Sequence, residues 1–255
     1  MDFGARGVNY GCKNCILEFA KQVIAYLREK HFLVVQDGQG GILPTPLGKA
    51  AFASSISPEE SARIFDDLEQ ARRAESLVLE TDLHLLYLTT PHFKGLREPN
   101  WDAFIQVHRQ LSKAEQRVGE IYGIDRDYME WARSMRPRLP NFITEREGPK
   151  PTDQPTADEP ATQLQTMCLA EQTTEADYKL VRYSKFYMAL QANEILKETP
   201  VPEICAKFGN CPRGTIQTVQ QQAQNFAGMM GAFCERLGWT DYSALFLRIS
   251  DKINW

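Results

Sequence analysis

The sequence holds no G-x-x-x-x-G-K-[ST] run, which excludes a nucleotide cradle of the phosphate-loop type. It holds no H-E-x-x-H, and its four histidines, His31, His84, His92 and His108, are scattered. No stretch of about 20 apolar residues occurs, so no helical membrane span is expected. The uncharged run 214–234 has the length, but its six amide side chains would be too costly in lipid. No charged-then-apolar stretch is visible at the start of the sequence, so no signal peptide is expected there. Cysteine is sparse, six in 255 residues and irregularly placed, as expected of a reducing compartment. Cys12 and Cys15 form a lone C-x-x-C. A tetrahedral zinc site needs two more ligands, and Cys205 and Cys211 have the wrong spacing, so two thiols on a helix face is the simpler reading.

The composition suits a globular chain: 43% hydrophobic and 24% charged residues allow a sizeable core. The net charge of −4 does not advertise nucleic-acid binding, but it is unevenly spread. Residues 145–177 carry eight acids against two bases, so the remainder stands at +2, a mildly basic body with an acidic insert. Four prolines (149, 151, 155 and 160) and few large apolar groups make 145–173 an expected disordered insert. Such a segment cannot bury enough surface to offset its ordering entropy.

Apolar spacing is helical from Ile16 through Phe19, Ala20, Val23, Ile24 and Leu27. "HFLVV" then reads as a short strand, "QDGQGG" as a turn and "ILP" as a second strand, followed by a helix from Pro46. Helix, strand, glycine-rich turn and strand make the second half of a winged helix, expected over residues 1–54. Ser57, Pro58 and Glu60 form a helix start with a capping box. "LVLETDLHLLYLTTP" is strongly apolar and stops at Pro91. Helices are expected at 100–111, 112–122, 126–135, 175–198, 201–208, 212–237 and 240–251. The fold class is therefore mainly α: a partial winged helix, then a helical bundle over 55–144 and 174–255 interrupted by the insert.

Few residues suggest chemistry. His84, near Glu80 and Asp82, would need a cleft and a partner to act as an acid or base; a partly buried, hydrogen-bonded histidine is the plainer reading. Arg126, Arg133, Arg136 and Arg138 suit phosphate contacts or a solvated helix face equally. The run 211–239 is more informative. Ile216, Val219, Ala223, Phe226, Met230, Phe233 and Leu237 form an apolar seam of alternating three- and four-residue steps. Gln217, Thr218, Gln221, Asn225, Gly228 and Ala232 lie opposite. Between Arg213 and Glu235 there is no charged residue, yet there are five glutamines and an asparagine. Amides donate and accept without fixed charge, which suits a ligand gripped and released. The same face would also suit a helix packed on several sides.

"TPLGKAAFASSISPEESARIFDDLEQAR", "LVLETDLHLLYLTTP" and "VPEICAKFGNCPRGTIQTVQQQAQNFAGMMGAFCERLGW" resemble the C-terminal part of Ski2-like superfamily 2 DNA helicases, in their polymerase-theta-like branch. The resemblance covers about residues 14–145 and 174–250. It implies a winged helix followed by a helical ratchet domain, which close a ring with two RecA-like motor domains. In that family the motors use ATP and Mg for 3′-to-5′ movement, the long ratchet helix lies along single-stranded DNA, and the work is nuclear repair and fork rescue. The site residues so implied are Arg213 for phosphate, and Gln217, Thr218, Gln220, Gln221 and Asn225 for hydrogen bonds along the strand. In archaeal relatives an arginine and a base-stacking tryptophan occupy the places that here hold Thr218 and Asn225. With no motor in this sequence, the chain is expected to need no cofactor and to be inactive alone, as the accessory DNA-binding region of a helicase. A non-catalytic protein-interaction module and a fragment of an RNA-directed Ski2-like helicase are the alternatives.

Overall fold

The computed structural model describes residues 11–36, 41–73, 77–91, 98–135 and 175–253. Helix α1 (Gly11–Glu29) gives way at His31, whose φ of 61° turns the chain into β1 (Leu33–Val35). β1 pairs antiparallel with β2 (Ile42–Pro44), with Val34 in register with Leu43. The periodic apolar face of α1 is not a buried one: Ile16, Leu17, Phe19, Val23 and Ile24 are exposed, as are Val34, Val35, Ile42 and Leu43 on the hairpin.

Thr45 starts α2 (Pro46–Ser54) by accepting from the Gly48 amide at 3.1 Å while donating to the His31 carbonyl at 2.7 Å. Pro46 occupies the first helical position, where its missing N–H costs nothing. A Cβ at Gly48 would stand 2.2 Å from the Phe32 carbonyl oxygen, so α2 docks on the hairpin only because that residue has none. Ala50 and Ala51, on the other side of α2, are buried.

Helix α3 (Pro58–Arg73) begins as its sequence indicates, with the Ser57 hydroxyl accepting from the Glu60 amide at 3.3 Å. In the short α4 (Leu83–Thr89) every side chain is buried. Asn100 caps α5 (Trp101–Arg109), accepting from the Ala103 amide at 3.1 Å. Ser112 and Glu115 form a reciprocal capping box on α6 (Lys113–Ile121), and α7 (Arg126–Met135) follows. Four helices complete the described chain: α8 (Glu175–Leu196), α9 (Val201–Lys207), α10 (Arg213–Arg236) and α11 (Thr240–Ile253). The seven expected boundaries from residue 100 onward are met within two residues at each end. The acidic segment 145–173 lies outside the described residues.

The bundle is mainly helical, as expected, with one two-stranded sheet among the described residues. α8 runs through its middle. Tyr183 and Phe186 are fully buried and meet Phe104 of α5, while Phe186 also meets Tyr87 of α4. Glu115 ties α6 to α8, accepting from Asn193 Nδ2 and from Lys197 Nζ, each at 2.9 Å. Burial pushes this carboxyl up, but the bonds from Lys197 and Ser112 outweigh it and hold the group below the usual carboxylate range. α10 packs against α2, α4, α8, α9 and α11, so the hairpin's own helix rests directly on the longest helix described.

Candidate nucleic-acid interface

Two positive-φ residues, Gly209 and Asn210, end the turn after α9, and Pro212 then leads into α10 without a side-chain cap. The expected seam is inside: Ile216, Val219, Ala223, Phe226, Met230 and Phe233 are buried, and Leu237 at the C-cap is half-buried. Ala227, Gly231 and Cys234 are buried as well, because α11 covers a second side. A Cβ at Gly231 would stand 2.8 Å from Leu247 Cδ2, and Ser243 Oγ donates to the Gly231 carbonyl at 2.9 Å. The close approach at Gly231 is thus made by the Leu247 side chain of α11. Gly228, half-buried, lies towards Ser250 on the same side.

What remains in solvent is one strip. Arg213, Gln217, Gln221 and Asn225 follow one another at four-residue steps, with Gly214 and Thr218 beside them, and all six are exposed. Thr218 Oγ1 donates to the Gly214 carbonyl at 2.8 Å, leaving its lone pairs outward. Five of the six expected contact residues therefore share one uncharged, solvent-facing strip with a cation at its start. Gln220 stands elsewhere: its Nε2 donates at 3.0 Å to the Ile253 carbonyl and so holds the last turn of α11. Ser250 Oγ donates to the Gln224 carbonyl at 3.2 Å, a second tie between the same helices.

Beside the first turn of the strip a cavity of about 530 Å³ opens between α8, the 208–212 turn and α10. Gly214 and Thr218 belong to both the cavity and the strip. Tyr187 and Phe208 form a buried wall, their rings edge to face with centroids 5.2 Å apart. The Tyr187 hydroxyl donates to the Phe208 carbonyl at 3.1 Å, fixing that wall. Gly209 sits against Asn100, where a Cβ would come within 2.2 Å of Nδ2. Gln191 of α8 and Gln222 of α10 also line the cavity. The sequence carries little sign of Gln191, an amide in a helix whose neighbours are apolar on most sides.

The other candidates resolve into structural roles. His84 is fully buried: its Nδ1 accepts from the Val78 amide at 3.0 Å, and its Nε2 meets the Tyr122 hydroxyl at 2.9 Å. Burial lowers its pKa to about 4, so it is neutral near pH 7. Asp82 serves instead as the partner of Lys252 and Arg248 on α11. Arg126 pairs with Glu130 at 2.7 Å and Arg133 with Asp102 at 3.7 Å, while Arg136 and Arg138 lie outside the described residues, as do the side chains of Cys12 and Cys15. Burial, reinforced by Cys205, pushes the Cys211 thiol up to about 11. Among the described residues no helix is long and apolar enough to cross a membrane.

The described residues thus form a helical bundle whose longest helix keeps a polar strip in solvent. Residues 58–253 match the DNA_pol_Q helicase like region helical domain, and the chain belongs to this family. It is 27% identical over 99% of its length to DNA polymerase theta of Mus musculus, and 30% identical over 90% to that of Caenorhabditis elegans. It is 27% identical over 93% of its length to Helicase POLQ-like of Homo sapiens. The chain spans 9%, 12% and 19% of these three relatives.

Proposed function

We propose that this chain is the strand-guiding part of a DNA helicase, with α10 laid along single-stranded DNA. The observation that carries this reading is the strip from Arg213 to Asn225, polar, uncharged after its first residue and open to solvent. Amides exchange hydrogen bonds with base edges and sugars without forming ion pairs, so a strand can be held and still slide. Arg213, at the start of the helix where unpaired backbone N–H groups also favour an anion, takes a phosphate. Membership of a helicase-like family supports the same reading.

In this reading ATP and Mg are held by RecA-like motor domains, since the sequence has no phosphate loop. The helix–hairpin–helix unit is a partial winged helix. Its exposed apolar residues on α1 and the hairpin, with Phe52 of α2 at 89% exposure, give those motors a surface to meet. The setting is nuclear DNA repair and fork rescue.

The test is charge placed on the strip. The double substitution Gln217→Glu and Gln221→Glu, at exposed positions, should weaken single-strand binding about ten-fold by repelling phosphates. The matching Lys pair should strengthen it, and neither should move the helical melting curve. Equal affinities in both double variants would refute the assignment of this face.

A further inference from the structure

The cavity beside the strip is lined by an amide to which no described residue is hydrogen-bonded. Gln191 is 3% exposed and lines the cavity, and among the described residues its amide has no hydrogen-bond partner. Asn193, two residues on and 4% exposed, gives its Nδ2 to Glu115. Among the described residues Ser184 Oγ is the buried side-chain atom without a partner, so the Gln191 amide reaches the open volume of the cavity, where a ligand edge can meet it.

We infer that this cavity receives one nucleobase turned out of the strand that α10 guides, with Gln191 reading its hydrogen-bonding edge. The inference rests on the strand-guiding reading of α10. The occupant must be flat and uncharged, because the cavity has an aromatic wall in Tyr187 and Phe208 and amides at Gln191 and Gln222. Among the described residues Glu98 is the one charged side chain lining it, and an acid there disfavours a phosphate. A heteroaromatic ring that both donates and accepts along its edge meets these conditions, and splayed-out bases are read in this way. The mouth residues Gly214 and Thr218 are also strip residues, so a base reaches the cavity without the backbone leaving α10. Arg213, between mouth residues Pro212 and Gly214, stands where the flanking phosphate passes.

The test compares two labelled single strands of equal length by fluorescence anisotropy, one of mixed sequence and one abasic throughout. The chain should bind the base-bearing strand roughly ten-fold more tightly. Gln191→Leu keeps a similar volume and breaks no hydrogen bond to a described residue, so the thermal midpoint should hold. It should abolish most of that preference and leave abasic affinity unchanged. Gly214→Leu gives an independent arm, since a Cβ there meets nothing within 4 Å and a larger side chain narrows the mouth without strain. It too should lower the preference. Equal binding of the two strands, or an undiminished preference in both variants, overturns the base pocket and leaves the strip intact. Absence of binding to either strand overturns both.

Discussion

Raising salt from 50 to 200 mM should weaken single-strand binding only about three-fold. Each phosphate neutralised on a single strand contributes a slope of about −0.7 in log affinity against log salt. Arg213 is the one cation on α10 before Arg236, and the residues between them on the strip carry no charge. One contact over a four-fold salt increase predicts a loss of roughly three-fold, and a second at Arg236 roughly seven-fold. Six contacts would predict a loss of several hundred-fold. Anisotropy titrations across the series, repeated with Arg213→Ala, separate these cases. The variant should flatten the slope to near zero while keeping residual affinity from the amides. A slope steeper than about −3, or one unchanged in Arg213→Ala, would show that cations elsewhere carry the strand and would refute the argument from α10.

Two further outcomes concern the scaffold. The folded-state pKa of His84 is lowered from 6.5 to about 4, so the unfolded chain binds the extra proton first as pH falls. Its contribution to stability is complete above pH 6.5 and declines by about 3 kcal/mol as pH approaches 4. Urea denaturation should therefore show a flatter acid limb for His84→Asn than for the unsubstituted chain, and parallel limbs would contradict the buried neutral imidazole. At the α10–α11 crossing, Gly231→Ala drives a methyl against Leu247. Overpacking costs about 1–3 kcal/mol, offset by about 1 kcal/mol of helix propensity. Leu247→Ala should restore the lost stability, so the pair should be non-additive by more than about 0.5 kcal/mol; additivity would disprove the close contact.

The local elements were legible because local rules govern them. Ser57 and Pro58 start α3, and the alternating three- and four-residue seam delimits α10 and buries the residues it names. The two short apolar runs pair as the hairpin strands that the sequence indicates. Legibility stops where the partner of a face is a distant segment. Gln217, Gln220 and Gln221 are interchangeable by residue type, yet Gln220 is turned to the end of α11, 33 residues away. Nothing within α10 says which flank α11 takes. The apolar periodicity of α1 misleads in the other direction, since amphipathic spacing states what a helix can bury and not what covers it. Gln191 was illegible because its isolation appears only when α8, α10 and the 208–212 turn enclose it.

An amide strip has one more property. Glutamine, asparagine and threonine side chains do not titrate in water, so the outward faces of Gln217, Thr218, Gln221 and Asn225 carry the same charge in acid and in alkali. His84 and Glu115, which do respond to protons, are buried where helices meet. Acid therefore loosens the frame through His84 while leaving the charge of the strip unchanged. Under the proposed reading, a pH profile of strand binding would report the integrity of the bundle, the contact itself being a proton-blind bearing.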